Sequence, residues 1–344
     1  MTVQLQIRRV ALLGALSITL LLAACGGGGG GSTSTASTSS TSSSSTGTAA
    51  TVIPAGTTQT ASTYAAGSVQ AAMFAQINAY RQTCGFPAVQ QNTLLDQAAQ
   101  NHASYMAQNG DQVTDDEVQS KPGFTGVTGN DRALAVGWPA TIGAGTGSTG
   151  WYNYSGLTNT QMGQALVNSW ASGVYHQFLL VGPITYVGLG VTSTSNQGTP
   201  LDLASEEDAI NWSAPNAIAT GTPLTFPCQG VTGVPYGNGY GEIPMPPNTS
   251  TSGFGTPVTV MGNLSDQITL TQATMTDTAS GQTISLNILN ANTDPNNELS
   301  GYEAVAYPAA PLSPNTTYQV NLSGTINGNA FSRSFTFTTG STLA

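Results

Sequence analysis

An α+β domain followed by an all-β domain is the fold class this sequence predicts, on three observations. Between Ser68 and Gly173 apolar residues recur at helical spacing. Past about residue 255 they alternate with polar residues at period two. A stretch dense in Pro and Gly separates the two patterns. Composition adds a constraint: only 6 % of the 344 residues are charged, against roughly 25 % in an ordinary soluble domain. Surface polarity must then come from Ser, Thr, Asn and Gln, a profile suited to a secreted or cell-surface protein. The formal net charge is −10. Nucleic acid is excluded as a partner because no basic surface exists to neutralise phosphates.

The N-terminus reads as an address and an anchor. Arg8 and Arg9 precede the apolar run Ala11–Leu22, too short for a membrane span and right for the core of a signal peptide over residues 1–24. The run ends in Leu22-Ala23-Ala24-Cys25, which resembles the bacterial lipobox. That resemblance implies lipidation of Cys25 and attachment to a membrane, where each buried methylene contributes about 0.8 kcal/mol. Gly26 follows the cysteine, so in a host with two membranes the outer one is expected; extracellular release is the alternative. Loss of the leader removes two arginines and no acid, leaving four basic residues against sixteen acids, a net of −12. Residues 25–62 hold the lipidated cysteine and a Gly/Ser/Thr-rich leash that cannot bury apolar surface. As a flexible coil it would reach roughly 30–35 Å.

Residues 65–230 form the first predicted domain. Ser68 can cap a helix with Val69, Met73, Ile77 and Tyr80 on one face, closing near Gly85. A second helix runs from about Thr93 to Asn109, with Leu95, Ala98, Ala99, His102, Tyr105 and Met106 along its apolar stripe. His102 therefore sits on the buried or cleft-facing side. A third helix spans about Asn159–Gly173, with His176 just beyond it, followed by a strand at Tyr186–Thr192 and another at Leu224–Phe226. Helices laid on a small sheet describe segregated α+β layers. Gly143–Gly150 reads as a flexible loop or mobile rim, and Glu206-Glu207-Asp208 as a solvated loop or helix start.

With Cys25 lipidated, Cys84 and Cys228 remain as an even pair in an oxidising compartment. A disulfide between them is expected, tying the first helix to the last strand of this domain.

Two blocks then carry a resemblance. Ile77-Asn78-Ala79-Tyr80-Arg81 followed by Leu95-x-x-Ala98-Ala99-x-x-His102-x-x-x-Met106, and about 70 residues on Trp170-Ala171-Ser172-x-x-x-His176 before Tyr186-Val187-Gly188-Leu189-Gly190-Val191, resemble the CAP superfamily. That superfamily comprises cysteine-rich secretory proteins, antigen 5 allergens, pathogenesis-related proteins and bacterial relatives. The resemblance implies an α-β-α sandwich with a central cleft, in which two histidines and two glutamates can hold a divalent metal. His102 and His176, the chain's only two histidines, match the histidine positions.

The glutamates do not carry over. Pro139-Ala140-Thr141-Ile142 stands where the family has an acid, and none follows His102 within Ala103–Gln108. Asp111, Asp115, Asp116 and Glu117 come next, and one of them could substitute. Two imidazoles alone fall short of a stable Zn²⁺ site, which takes three or four ligands, and general acid–base work needs a group with a tuned pKa at the substrate. No cofactor is expected, with Zn²⁺ at these two histidines the exception to test. Ser172 lies near His176 without the acid a nucleophilic triad requires.

Residues 231–254 read as a Pro/Gly linker with Pro235, Pro244, Pro246 and Pro247. Over 255–341 the pairs Val258-x-Val260, Ile268-x-Leu270, Ile284-x-Leu286-x-Ile288, Tyr318-x-Val320-x-Leu322 and Phe335-x-Phe337 predict short strands of a β-sandwich. Asn327-Gly328 marks a hairpin. Pro311-Leu312-Ser313-Pro314-Asn315-Thr316-Thr317-Tyr318 with the Phe335–Gly340 finish resembles bacterial immunoglobulin-like domains, which implies a spacer or adhesive module. Asp294, Asn296, Asn297 and Glu298 read as a solvated turn rather than a Ca²⁺ loop.

The function expected from these features is non-enzymatic. A lipid-anchored surface protein would bind a small apolar or envelope ligand, or a protein partner, in the CAP cleft, and the resemblance raises sterol or lipid as that ligand. The alternatives are a divalent-metal-dependent hydrolase using His102 and His176, and a purely structural or adhesive module.

Overall fold

In the computed structural model, the structure describes residues 6–7, 61–110, 113–152, 156–196, 199–210, 217–218 and 222–344. The leader, Cys25 and the leash lie outside the described residues, apart from the two-residue strand β1 (Gln6–Ile7). Among the described residues, no helix is long and apolar enough to cross a membrane.

Helix α1 (Val69–Thr83) starts where Ser68 Oγ accepts the Ala71 amide, as its sequence predicts. After β2 (Gln90–Gln91), α2 (Thr93–Gln108) is capped by Asn92, and α4 (Asn159–Ser172) opens on a capping box of Thr158 and Gln161. Two short helices add to the predicted ones: α3 (Gly129–Ala135), with its own capping box of Thr128 and Asp131, and α5 (Gln177–Val181). Strands β3 (Gly143–Tyr152), β4 (Tyr186–Asn196) and β5 (Thr199–Ile210) form a sheet with β1 and β2, of order β1-β3-β5-β4-β2.

Strand β4 shows how the layers are made. Val187 and Leu189 point to one face and join the apolar core of Met73, Phe74, Leu166 and Trp170 from α1 and α4. Gly188 and Gly190 point to the other, where a Cβ would stand 2.0 Å from the Leu95 carbonyl carbon and 2.2 Å from that of Ala99. Only glycine lets α2 lie this close to the sheet. The two faces of one strand thus carry helices on both sides, the α-β-α layering that the resemblance implied.

Two loop expectations are corrected here. Gly143–Gly150 belongs to β3 and Glu206-Glu207-Asp208 to the middle of β5, with Glu206 paired to Gly147 and Leu189. β3 is too poor in apolar residues to announce a strand; its glycines, like those of β4, give room to neighbours. A Cβ on Gly147 would overlap Leu179.

The second sheet has the order β6-β10-β13-β12-β11-β14-β15-β7. Its strands are β6 (Leu224–Phe226), β7 (Thr232–Val234), β10 (Val258–Met261), β11 (Ile268–Asp277), β12 (Thr283–Asn290), β13 (Glu303–Pro308), β14 (Thr317–Ile326) and β15 (Asn329–Thr339). All pairs are antiparallel except β15 with β7. Thr283–Ser285 of β12 pairs with β11, and Leu286–Asn290 pairs with β13. One strand so passes hydrogen bonding from one half of the ribbon to the other, and the sheet curls over Val260, Leu270, Val320, Leu322, Phe335 and Phe337. The hairpin at Asn327-Gly328 forms as predicted, with both residues at positive φ (52° and 79°).

The predicted boundary between the domains is corrected. β6 pairs with β10, not with the first sheet, and β7 pairs with β15. β8 (Gly237–Asn238) pairs with β9 (Phe254–Gly255). The stretch 231–254 is therefore folded structure rather than a linker. A single apolar core runs through both parts: Tyr80 of α1 meets Phe226 edge-to-face at 5.0 Å, and Phe178 of α5 meets Tyr302 at 6.3 Å.

The Cys84–Cys228 disulfide is present, with Cα atoms 5.4 Å apart. Because Cys228 follows β6, the bridge ties α1 to the second sheet, not to the last strand of its own domain.

Candidate functional site

The first histidine sits on α2 as its periodicity predicts, with 0 % exposure. Its ring stacks on Tyr105 at 6.0 Å. Nδ1 lies 3.0 Å from Glu117 Oε1, and Nε2 lies 2.6 Å from the Thr114 carbonyl oxygen. Glu117 thus fills the place left open among the acids after His102. It also organises the loop around itself: Oε2 accepts the Thr125 amide at 2.6 Å and the Gly126 amide at 3.3 Å. Arg132 Nε stands 3.9 Å from Oε1, while its Nη1 donates to the Asp115 carbonyl at 3.0 Å.

These contacts set the protonation. Burial alone would raise the Glu117 pKa, but hydrogen bonds from His102 and the Thr125 amide outweigh it and hold the carboxyl below its ordinary range. Burial, and then the Arg132 charge, push His102 below the ordinary histidine value, against the pull of Glu117 and Thr114. A doubly protonated ring would satisfy both of its acceptors; a neutral ring donates to only one. Asp115 is a separate case. Fully buried, it is pushed well above the usual carboxylate range by desolvation, and its Oδ1 accepts the Ser148 amide of β3 at 2.9 Å. Asp116 is half-buried beside it, and Asp111 lies outside the described residues.

The second histidine follows α4 and is equally buried. Its Nδ1 lies 2.7 Å from Glu242 Oε2, and the same carboxylate accepts the Val174 amide at 2.6 Å and the Tyr175 amide at 3.2 Å. Glu242 comes from the stretch read as linker. Nothing in the sequence places it near His176, because the two are 66 positions apart. Pro139–Thr141 forms an exposed turn, and no acid enters there.

The expectation of an acid-poor pair of histidines is therefore corrected: each has a buried glutamate of its own. Yet they do not assemble into a metal centre. Among the described residues no three His, Cys, Asp or Glu side chains converge to hold an ion, short of what Zn²⁺ requires. Ser172 is no nucleophile either: its hydroxyl donates to the Ser169 carbonyl at 2.7 Å and accepts from Asn238 Nδ2 at 3.2 Å.

The other residues of the two blocks have structural work. Asn78 exchanges two hydrogen bonds with the backbone of Val89, and buried Arg81 donates to the carbonyls of Pro87, Leu180 and Gly182, pinning α1 to α5. Tyr175 donates its hydroxyl to Asp294 at 2.8 Å, and Asn296 donates to Tyr175. Asp294, read as part of a solvated turn, is buried and also accepts the amides of Asn296, Glu298 and Leu299. Its oxygens are taken by donors, which leaves none for Ca²⁺.

No curated protein matches the chain. Residues 74–205 match the model of the cysteine-rich secretory protein family, CAP, a span that holds both histidines and Glu117 and ends before Glu242. The helices on both faces of β4 and the two histidines agree with this match, and residues 74–205 are similar to a CAP domain.

Proposed function

We propose that this chain is a CAP-domain protein of the cell envelope that acts by binding and not by catalysis. The observation that supports this reading is the closure of both histidines. Each ring is fully buried, and each is engaged with a glutamate of the same chain. A general acid or base must reach a substrate proton, and neither ring offers a face to one. The ligand class is a small apolar or envelope-derived molecule, sterol or lipid included, or a protein partner. Attachment through Cys25 follows from the lipobox-like Leu22-Ala23-Ala24-Cys25 behind an apolar leader, with the outer membrane as its place in a two-membrane host.

Calorimetric titration with Zn²⁺ of the protein and of His102→Gln and His176→Gln tests the reading. No saturable binding above that of the variants is expected. One-to-one binding lost in each variant would overturn it and return the metal-dependent hydrolase. Acyl-chain labelling that depends on Cys25 tests the anchor separately.

A further inference from the structure

The turn Gly173–His176 between α4 and α5 is a three-donor cradle. The Val174 amide, the Tyr175 amide and His176 Nδ1 converge on one carboxylate within 2.6–3.2 Å. Two backbone amides and a ring nitrogen around both oxygens of a carboxyl group make a built anion site, since charge-assisted hydrogen bonds of this length are the strong ones. Space is reserved for that group. A Cβ on Gly173 would stand 2.8 Å from Glu242 Oε2 and 2.8 Å from His176 Cβ, although its φ of −84° suits any residue. Glycine is needed there for the carboxylate and the His176 side chain, not for the backbone.

We propose that this cradle is a carboxylate-binding site of the CAP domain which the chain fills with its own Glu242, so that the strap Gly237–Met245 holds the site shut. The inference stands on the geometry around Glu242 and is independent of the binding reading above. Three features mark Glu242 as a ligand brought to the cradle from outside the CAP match. Glu242 lies beyond the CAP match at 74–205. The strap reaches the CAP domain through polar contacts, Glu242 on the cradle and Asn238 on Ser172. Its flanking Tyr240 and Met245 stay about half exposed (52 % and 49 %) while the glutamate between them is 2 % exposed. A strap packed for stability alone would bury its apolar side chains and leave the acid outside, because an acid is rarely buried without a partner. A free carboxylate, of a small acid or of an acidic peptide, is the ligand chemistry that competes with it.

Chemical rescue tests the assignment. In the full-length protein, Glu242→Ala empties the cradle without adding a group that could fill it. Acetate is the probe, with chloride at equal ionic strength as the control. The expected result is a lowered Tm for the variant that acetate, and not chloride, raises saturably, while the unaltered protein shows no acetate-specific rise. Hydrogen exchange over residues 172–177 should accelerate in the variant and slow again with acetate. Should Glu242→Ala fail to fold, Glu242→Gln serves with the same exchange readout, since it keeps the shape and loses the charge. Equal responses to acetate and chloride, or exchange at 172–177 unchanged by the substitution, would overturn the proposal.

Discussion

Glu117 offers the sharpest test of how the first histidine is held. Replacing it with Ala leaves His102 Nδ1 and the Thr125 and Gly126 amides without their acceptor, and Arg132 without the carboxylate 3.9 Å away. Removing one partner of a buried ion pair costs about 3–5 kcal/mol, a fall in Tm on the order of 10 °C for a chain of this size. Gln is a different perturbation. Its oxygen can keep the Thr125 and Gly126 amides, and its NH₂ can donate to Nδ1 while Nε2–H donates to Thr114. A neutral ring would then satisfy both neighbours, and about 1 kcal/mol of loss, chiefly the missing charge beside Arg132, is expected. The pH dependence separates the variants further. Glu117 sits below its ordinary value in the fold, so its contribution is present above about pH 4.5 and is lost as pH falls from there. His102 is lowered too, so its neutral form adds a loss that begins below about pH 6.5. Urea unfolding at pH 7, pH 5 and pH 3 separates the two, and in Glu117→Gln the Glu117 part of the loss below pH 4.5 should vanish. If Gln proves as costly as Ala at pH 7, the charge rather than the hydrogen-bond pattern holds the site, and the reasoning fails.

Two further substitutions separate space from flexibility on the first sheet. Gly190→Ala drives a Cβ to 2.2 Å from the backbone of α2, where nothing flexible can yield, and should cost 3 kcal/mol or roughly more by overpacking. Gly145→Ala, with no atom within 4 Å, should be neutral or gain about 0.5 kcal/mol; comparable losses at the two positions in thermal melts would refute the close-approach argument. Replacing Cys84 and Cys228 with Ser opens a covalent loop of sequence separation 144, which on the chain-entropy view lowers stability by about 5 kcal/mol. A change in denaturation midpoint worth less than about 1 kcal/mol would mean that the core alone fixes α1 against the second sheet.

What the sequence reveals here depends on whether a signal is local. Ser68 announces its helix because an N-cap acts within three residues, and Asn92 and Thr158 cap theirs in the same local way. His102 falls on the buried stripe of α2 for the same reason. The Asn327-Gly328 turn needs only its own two dihedral angles. β13 escapes notice because all six of its residues are buried, so Glu303–Pro308 shows no alternation. β3 escapes because its glycines answer to neighbours such as Leu179 that are distant in sequence. Glu117 is one of the acids that follow His102, but only the folded loop from Thr114 to Val127 turns it toward the ring. Glu242 had no local signal at all. Proline and glycine density near it suggested a linker, whereas the prolines edge a segment that two sheets and a histidine hold in place.

The second of the two sequence blocks shows that the folding unit continues past the end of the CAP match. Ser172, Tyr175, His176 and Gln177 are consecutive contributors to one turn, and each is bonded to a residue beyond 230. Asn238 donates to Ser172, Tyr175 to Asp294, Glu242 accepts from His176, and Gln177 both donates to the Pro257 carbonyl and accepts from Thr259 at 2.6 Å. Cutting the chain after Gly230 would leave those buried groups without partners, at about 1–3 kcal/mol each. It would also strip β6 of β10 and open the core at Phe226. Five such bonds together with the Phe178 contact on Tyr302 amount to roughly the 5–15 kcal/mol that a domain ordinarily has to lose. Residues 61–230 alone should therefore fail to fold, disulfide or not, as judged by near-UV circular dichroism and a cooperative melt. A cooperative transition within a few degrees of the full chain's would show that the CAP domain carries its own stability and that the strand domain merely docks on it. The failure expected here follows from where the partners of one turn come from, because the second sheet closes the interior of the CAP-matched region.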